Sequence, residues 1–504
     1  MSAKYIHPFS FGDRNQSDLL GGKGANLAEM VKIGLPVPPG FTITTLACRE
    51  FLRTGEIPSL LPEELEVALT NLERELGKKF GDPKNPLLVS VRSGAKFSMP
   101  GMMETVLNVG MTPEVAEALA QQTGNPKFAW DCYRRFVDMY GRIVCEVPLS
   151  EFHKIQQRVL SAFGVNAISD VDVDGLQALT DGYIKETEAL TGETFPTDPR
   201  EHLTRSVQAV FHSWNSERAQ LYRQRERIPS DLGTAVNVQS MIFGNLSDDS
   251  GTGVAFTRDP ATGETGSYGD YLVRAQGEDV VAGIRNTMSL DDMAKEFPKV
   301  HGELEKVMAN LETHYRDLCD IEFTVEKGKL WILQTRVGKR TAEAAFRIAV
   351  QLVDEGKITI DEALTRVGGA QLAQLMFPQF DLRGSVKELA RGIPASPGAA
   401  VGAVVFDSKR ALDASRDGKK VILVRRETSP DDLVGMVAAQ GILTSRGGKT
   451  SHAAVVARGM GKTAVCGTES ITVDESGGFF TVGGESVYEG EVISIDGSTG
   501  AVYL

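Results

Sequence analysis

A mixed α/β (α+β) chain of several domains is what these 504 residues predict, and three observations carry that expectation. Short β-branched runs alternate with amphipathic helical stretches over residues 1 to about 340. A proline- and glycine-rich break, Arg391-Gly392-Ile393-Pro394-Ala395-Ser396-Pro397-Gly398, then interrupts the chain. Beyond it, short apolar runs surround a small-residue helix that begins near His452. At roughly 150 residues per domain, the length allows two to four domains with sizeable cores.

In chain order, Gly21-Gly22-Lys23-Gly24 reads as a glycine-rich turn entering a helix, able to offer amides and one ammonium to phosphates. It lacks the Walker spacing, and an ordinary glycine turn explains it equally well. Leu65, Leu69, Leu72 and Leu76 form one helical stripe suited to a core. Pro86 to Gly94 reads as a buried strand that delivers Arg92 into a loop running on through Ser98-Met99-Pro100-Gly101-Met102-Met103. An arginine at a strand end suits bidentate phosphate binding, and suits a surface salt bridge as well. Thr112-Pro113 marks a helix start. Residues 235–274 carry strand-like runs punctuated by glycines. Among them Ser250-Gly251-Thr252-Gly253-Val254 is expected either to cover phosphate as a loop or to make a tight turn.

Residues 320–336 predict a hairpin turning at Glu326-Lys327-Gly328-Lys329. Asp320 and Glu322 lie two apart and so share a strand face; Gln334 and Arg336 do likewise on the return strand. Carboxylate and amide oxygens suit Mg²⁺, which typically takes one or two carboxylates plus nucleotide phosphates. Arg336 is placed to neutralise charge on a transferring group. A solvated sheet face accounts for any one of these residues, but less easily for all four. Residues 341–377 turn helical, with Phe346, Val350 and Val353 on one face and Ile360, Leu364 and Val367 on another, before Pro378.

The most informative stretch is Gly447-Gly448-Lys449-Thr450-Ser451-His452, running on through Ala453-Ala454-Val455-Val456-Ala457-Arg458-Gly459. Thr450 or Ser451 can cap the first turn, and Gly459 can end the helix. A histidine in that first turn faces backbone N–H groups and a dipole that favour an anion. A neutral imidazole there can accept a phosphoryl group whose charge the backbone stabilises.

The net charge of −13 argues against a non-specific nucleic-acid binder. Cys48, Cys132, Cys145, Cys319 and Cys466 are scattered without a Cys-x-x-Cys pair, as expected for reduced thiols. With no apolar signal core and no stretch of roughly 18 apolar residues, a cytoplasmic protein with no membrane partner is expected.

The block around His452 resembles the phosphohistidine motif of the pyruvate phosphate dikinase and phosphoenolpyruvate synthase family. Val89-Ser90-Val91-Arg92-Ser93-Gly94, Ser98 to Met103, Ala275-Gln276-Gly277-Glu278-Asp279-Val280-Val281 and Asp320-Ile321-Glu322-Phe323 look closer to the dikinase. The resemblance implies an ATP-grasp nucleotide-binding domain over 1–340, a helical linker over 341–390 and a swivelling β/α phosphohistidine domain over 391–504. It implies that Lys23, Arg92, Thr252, Gly253, Glu278, Asp320, Glu322, Gln334 and Arg336 make the ATP site. Glu322 and Gln334 would hold Mg²⁺, with Asp320 supporting them. Arg92, Arg336 and His452 would be catalytic. Thr450 matches the residue that serves as a regulatory phosphorylation site in plant members.

In that family the histidine attacks the β-phosphate of ATP, releasing AMP, and phosphate then removes the terminal phosphoryl group as diphosphate. The phosphohistidine next swings to a barrel where pyruvate becomes phosphoenolpyruvate, and the break at 391–398 suits such a swivel. The sequence stops at Leu504, the edge of the phosphohistidine domain, so the barrel site is expected to be supplied elsewhere, by a separately encoded barrel-domain protein or by an unrecognised site. Lys449 and Cys466 depart from the family's block, Lys449 adding a cation beside the histidine. Two other readings stay open: a phosphohistidine carrier serving another acceptor, and a non-catalytic ATP-binding regulator.

Overall fold

The computed structural model describes residues 4–99, 102–282, 287–375, 380 and 387–504. Pro100, Gly101 and Pro378, and the side chain of Glu278, lie outside the described residues. The architecture is α/β (α+β), and the chain divides into two compact units, Met1–Ile242 and Phe243–Leu504. That division falls inside the 1–340 stretch. Among the described residues no helix is long and apolar enough to cross a membrane.

The first unit is built on an antiparallel five-stranded sheet in the order Ile6–Pro8, Gly40–Ile43, Thr234–Ser240, Val89–Ala95, Thr105–Val109. Leu65, Leu69 and Leu72 are buried on the helix Leu61–Leu76, and Thr112 caps the helix Pro113–Thr123 as expected. Gly21, with φ of 67° and ψ of 168°, breaks the span Ser17–Lys32 into two helical stretches, so the expected glycine turn does open onto a helix. A Cβ at Gly21 would sit 1.5 Å from the Gly94 carbonyl oxygen, so only glycine lets this helix approach the strand Val89–Ala95 so closely.

The second unit begins with another antiparallel sheet, in the order Met288–Ser289, Thr265–Val273, Gly251–Arg258, Cys319–Glu326, Lys329–Val337. Residues 251–254 are therefore strand, which corrects the expected loop. The Thr252 hydroxyl donates to the Phe323 carbonyl at 3.1 Å, and a Cβ at Gly253 would meet the Phe323 ring at 2.4 Å. Thr252 is tied up in the sheet and Gly253 makes room for an aromatic ring, so neither covers a phosphate as a loop.

The helices Ala342–Asp354 and Ile360–Arg366 follow. Ala344, Ile348 and Leu352 pack into the core with Val254, Phe256 and Leu272. The expected apolar faces differ: Val350 is 60% exposed, and Ile360 and Leu364 are each 66% exposed. Alanines win the inward face because they let the helix lie close to the sheet.

Arg258 ends its strand buried and locks this helical layer in place. Its Nε and Nη2 donate to Glu312 at 3.0 and 2.7 Å, Nη2 also reaches Glu355 at 2.7 Å, and Nη1 reaches Gln351 at 2.8 Å. The Arg258 hydrogen bond pulls the Glu355 carboxyl down to about 2. Burial pushes Glu312 up, but hydrogen bonds from Arg258 and Lys357 outweigh it and leave that carboxyl lowered. Carboxyls depressed in the folded state stabilise it above the ordinary carboxylate range, and that contribution disappears as pH falls towards 2. Glu312→Gln is expected to cost about 3 kcal/mol at pH 7, since it takes one partner from a buried pair. It should also flatten the acid limb, as read by urea denaturation at pH 7 and pH 3.

Residues 388–504 form an eight-stranded sheet in the order Glu388–Arg391, Ala501–Tyr503, Val492–Asp496, Ala399–Val405, Val421–Arg425, Gly441–Thr444, Thr463–Cys466, Ile393–Ser396. The four strands from Ala399–Val405 to Thr463–Cys466 are parallel. Val404, Ile422, Leu443, Val465 and Ile495 fill one core. The helix His452–Met460 leads into the strand Thr463–Cys466. Its αL cap is Gly461 rather than Gly459, one turn-completing pair of residues later than expected.

Candidate functional site

The hairpin Cys319–Glu326 and Lys329–Val337 turns through Lys327 and Gly328, whose φ values of 49° and 70° match a two-residue type I′ turn. Register places Asp320 opposite Arg336 and Glu322 opposite Gln334. Opposed residues share a face, so the four polar groups gather on one side. A bulge makes this possible: Glu322 pairs with Gln334 but Phe323 pairs with Ile332, leaving Leu333 as the extra residue. Leu330 and Ile332 therefore join Phe323 and Val325 on the buried face, while Gln334 and Arg336 are turned to the other.

Within the cluster Arg336 Nε donates to Asp320 Oδ2 at 2.7 Å, and Gln334 Nε2 donates to Glu322 Oε1 at 3.0 Å. Burial pushes the Asp320 carboxyl up, with the Arg336 guanidinium pulling against that shift. The second oxygen of Asp320 (Oδ1) and the side-chain oxygen of Gln334 are buried and, among the described residues, have no hydrogen-bond partner. Two orphaned acceptors beside the Glu322 carboxylate are what an oxygen-loving divalent cation needs, so this set fits Mg²⁺. Among the described residues no cluster of three or more His, Cys, Asp or Glu suits a metal, so the set depends on the glutamine amide.

In the same unit, Ser451 caps the His452 helix, its Oγ accepting from the Ala454 amide. His452 is the first helical residue and only 8% exposed. Its Nδ1 lies 2.9 Å from Thr428 Oγ1, in the loop after the strand Val421–Arg425. The segment before the helix rests on the strand Thr265–Val273. There the Thr450 hydroxyl and amide donate to Asp270 Oδ2 at 2.6 and 3.2 Å. A Cβ at Gly448 would lie 2.6 Å from that carboxylate, so glycine is required for the loop to settle there. Lys449 Nζ pairs with buried Asp259 at 3.1 Å, which commits the extra cation of this block to the sheet. Arg458, also buried, donates to the carbonyls of Ala395 and Lys449 at 3.0 and 2.6 Å. It thus ties the 391–398 segment to the histidine loop.

In the first unit Arg92 lies inside the strand Val89–Ala95, opposite Thr105 and Asn237, not in a loop beyond a strand end. The strand continues because Thr234–Ser240 pairs with it as far as Ala95, while Thr105–Val109 pairs as far as Arg92. Lys23 stands beside this strand: a Cβ at Gly94 would be 3.3 Å from Lys23 Cβ. Asp320, Glu322, Gln334 and Arg336 are thus one cluster, Lys23 lies beside the strand that carries Arg92 in the other unit, and Thr252 and Gly253 belong to the sheet's packing. Thr428, Asp259 and Asp270 carry no signal in the local sequence; a hydroxyl or carboxylate in a loop or strand is commonplace until the chain folds.

Antiparallel sheets bearing a carboxylate–amide–arginine cluster, followed by a β/α domain with a histidine at a helix start, match one class: an ATP-grasp domain joined to a phosphohistidine domain. The chain belongs to the pyruvate phosphate dikinase family. Residues 17–61, 57–295 and 290–357 match the family described as pyruvate phosphate dikinase, AMP/ATP-binding domain. Residues 418–500 match the PEP-utilising enzyme, mobile domain. The chain is 50% identical over 505 residues to pyruvate, phosphate dikinase of Clostridium symbiosum, covering 99% of this chain and 58% of that protein. It is 47% identical over 515 residues to the Giardia intestinalis protein of the same name, covering 100% and 58%. Against the chloroplastic pyruvate, phosphate dikinase 1 of Arabidopsis thaliana it is 49% identical over 498 residues, covering 98% and 52%. The chain thus spans a little over half the length of these relatives.

Proposed function

We propose that this chain catalyses the ATP half-reaction of a pyruvate phosphate dikinase. ATP and phosphate phosphorylate His452, with release of AMP and diphosphate, for the interconversion of pyruvate and phosphoenolpyruvate at a barrel site supplied outside these 504 residues. The observation that carries this reading is the seating of the histidine loop on the nucleotide-binding sheet through Thr450 and Asp270, within the unit that holds the Asp320–Arg336 cluster.

Each group has a task in that chemistry. The His452 ring supplies a lone pair, and the capped helix start beneath it favours the anionic product. Glu322 and Gln334, backed by Asp320, would hold Mg²⁺, which when bound offsets charge on the phosphate oxygens. Arg336 stabilises charge on the transferring group, while Lys23, Arg92 and the Glu278 segment bind the rest of the nucleotide. Burial of the histidine keeps water from hydrolysing the phosphoenzyme.

A label chase tests this. With Mg²⁺, phosphate and β-phosphate-labelled ATP, acid-labile label should appear on His452 and persist when pyruvate alone is added. It should pass into phosphoenolpyruvate when a dikinase barrel domain is supplied. Label that never forms, with ATP still bound, would instead favour a non-catalytic regulator. Label that forms but ignores the barrel would favour a carrier for another acceptor.

A further inference from the structure

We propose that Thr428 is a positioning residue that fixes His452 in the tautomer protonated at Nδ1, and thereby directs phosphoryl transfer to Nε2. The inference deepens the phosphohistidine reading and rests on it for the transfer step alone. Its starting point is the 2.9 Å contact between Thr428 Oγ1 and His452 Nδ1, a pair separated by 24 positions, one in a loop and the other at the start of a helix. Both side chains are buried, Thr428 at 5% exposure, so little water competes for this hydrogen bond.

The threonine is held from both sides. Before it, Arg426 is fixed by its amide to Glu475 at 3.0 Å and by Nε to the Val473 carbonyl at 2.9 Å. After it, the Ser429 amide donates to Asp432 Oδ2 at 2.9 Å, and Asp432 in turn accepts from Ser408 Oγ at 2.8 Å. A hydroxyl anchored this way sets the plane of the imidazole rather than following it.

A neutral imidazole carries one N–H and one lone pair, on different nitrogens. The nitrogen bonded to Thr428 cannot also meet a phosphorus atom, so attack goes through Nε2. Nε2 must then own the lone pair, and Nδ1–H must donate to Thr428 Oγ1. As the Nε2–P bond forms, the bond from the β-phosphorus to the oxygen bridging to AMP breaks, and AMP leaves with that electron pair. The proton stays on Nδ1 while the ring gains positive charge, so its hydrogen bond to Thr428 becomes charge-assisted and strengthens during the step. A carboxylate in the same place would favour the imidazolium and occupy the nucleophilic lone pair with a proton. A hydroxyl orients the ring without that cost.

The test uses the intact chain with ¹⁵N-labelled histidine. In the unphosphorylated protein, the ring nitrogens of His452 should read as Nδ1–H with an unprotonated Nε2. Thr428→Val, which keeps the shape but removes the acceptor, should shift the ring towards the Nε2–H form. The same variant should slow phosphoenzyme formation by about tenfold or more, in the range seen when a ring's orienting partner is lost, with ATP affinity unchanged. Thr428→Ser should restore both tautomer and rate, which separates positioning from packing. An Nε2–H ring in the wild-type protein would overturn the proposal even if the valine variant failed to fold. So would a valine variant with wild-type tautomer and rate. If the tautomer follows Thr428 while the wild-type protein takes no label from ATP, the positioning role stands and the phosphotransfer reading falls.

Discussion

His452→Ala is expected to bind ATP as the wild-type protein does and to take no acid-labile label from it. The expected loss is complete, because no other described group combines a lone pair with this setting. The ring occupies the first position of a capped helix, where the uncompensated amide groups and the helix dipole favour a phosphoryl anion. Alanine is a good helix former at that position and leaves Ser451 in place as cap, so the helix should persist. What alanine removes is a ring held by Thr428 at 2.9 Å. His452→Asn, closer in volume, guards against a packing artefact and should behave the same way. The measurement is phosphoenzyme stability to acid and base after incubation with β-labelled ATP, with nucleotide binding followed by thermal shift. Label surviving in either variant would move the carrier role to a different residue.

The sequence made the chemistry of this region visible where function depends on short-range pattern. The hairpin at 319–337 was readable because β-strands repeat every two residues and Lys327-Gly328 can adopt positive φ. The His452 helix was readable from its glycines, cap and small residues. Neither pattern reveals the bulge at Leu333, yet that single extra residue decides which side chains of the return strand face the cluster and which enter the core. Thr428 and Asp270 were invisible for another reason. They meet the histidine segment across 24 and 180 residues, and only the folded sheets bring them there.

Glycine serves loops and tight packing alike, which is why residues 251–254 differ from the expected loop. In the structure Gly21 admits the Gly94 carbonyl and Gly253 admits the Phe323 ring, so both answer to packing. In the helix Ala342–Asp354 the large residues suggested the wrong face, because close helix–sheet contact selected Ala344 and Ala345 beside Ile348 and Leu352. Local hydrophobicity ranks candidates for burial, but the available space makes the choice.

Arg336→Ala is expected to slow phosphoenzyme formation by about 10²- to 10³-fold, the usual loss when a preorganised donor to developing charge is removed. The structure adds a complication that the sequence did not show. Arg336 Nε is bound to Asp320 Oδ2 at 2.7 Å, and Asp320 is almost fully buried. Deleting the guanidinium leaves that carboxylate without its nearest cation. Its pKa, already raised by burial, should rise further, and the variant should lose stability as a buried partner is stranded. A slower reaction alone would therefore not prove that Arg336 acts on the phosphoryl group. Added guanidinium ion separates the two effects. At tens of millimolar it is too dilute to denature the fold, yet it can enter the space vacated by the side chain and present the same planar donors. Recovery of the labelling rate beyond what an equal rise in melting temperature gives when an osmolyte stabilises the variant would place the guanidinium at the reacting charge. A rate that returns only when stability is restored by other means would leave Arg336 as a support for Asp320 and remove it from the transfer step.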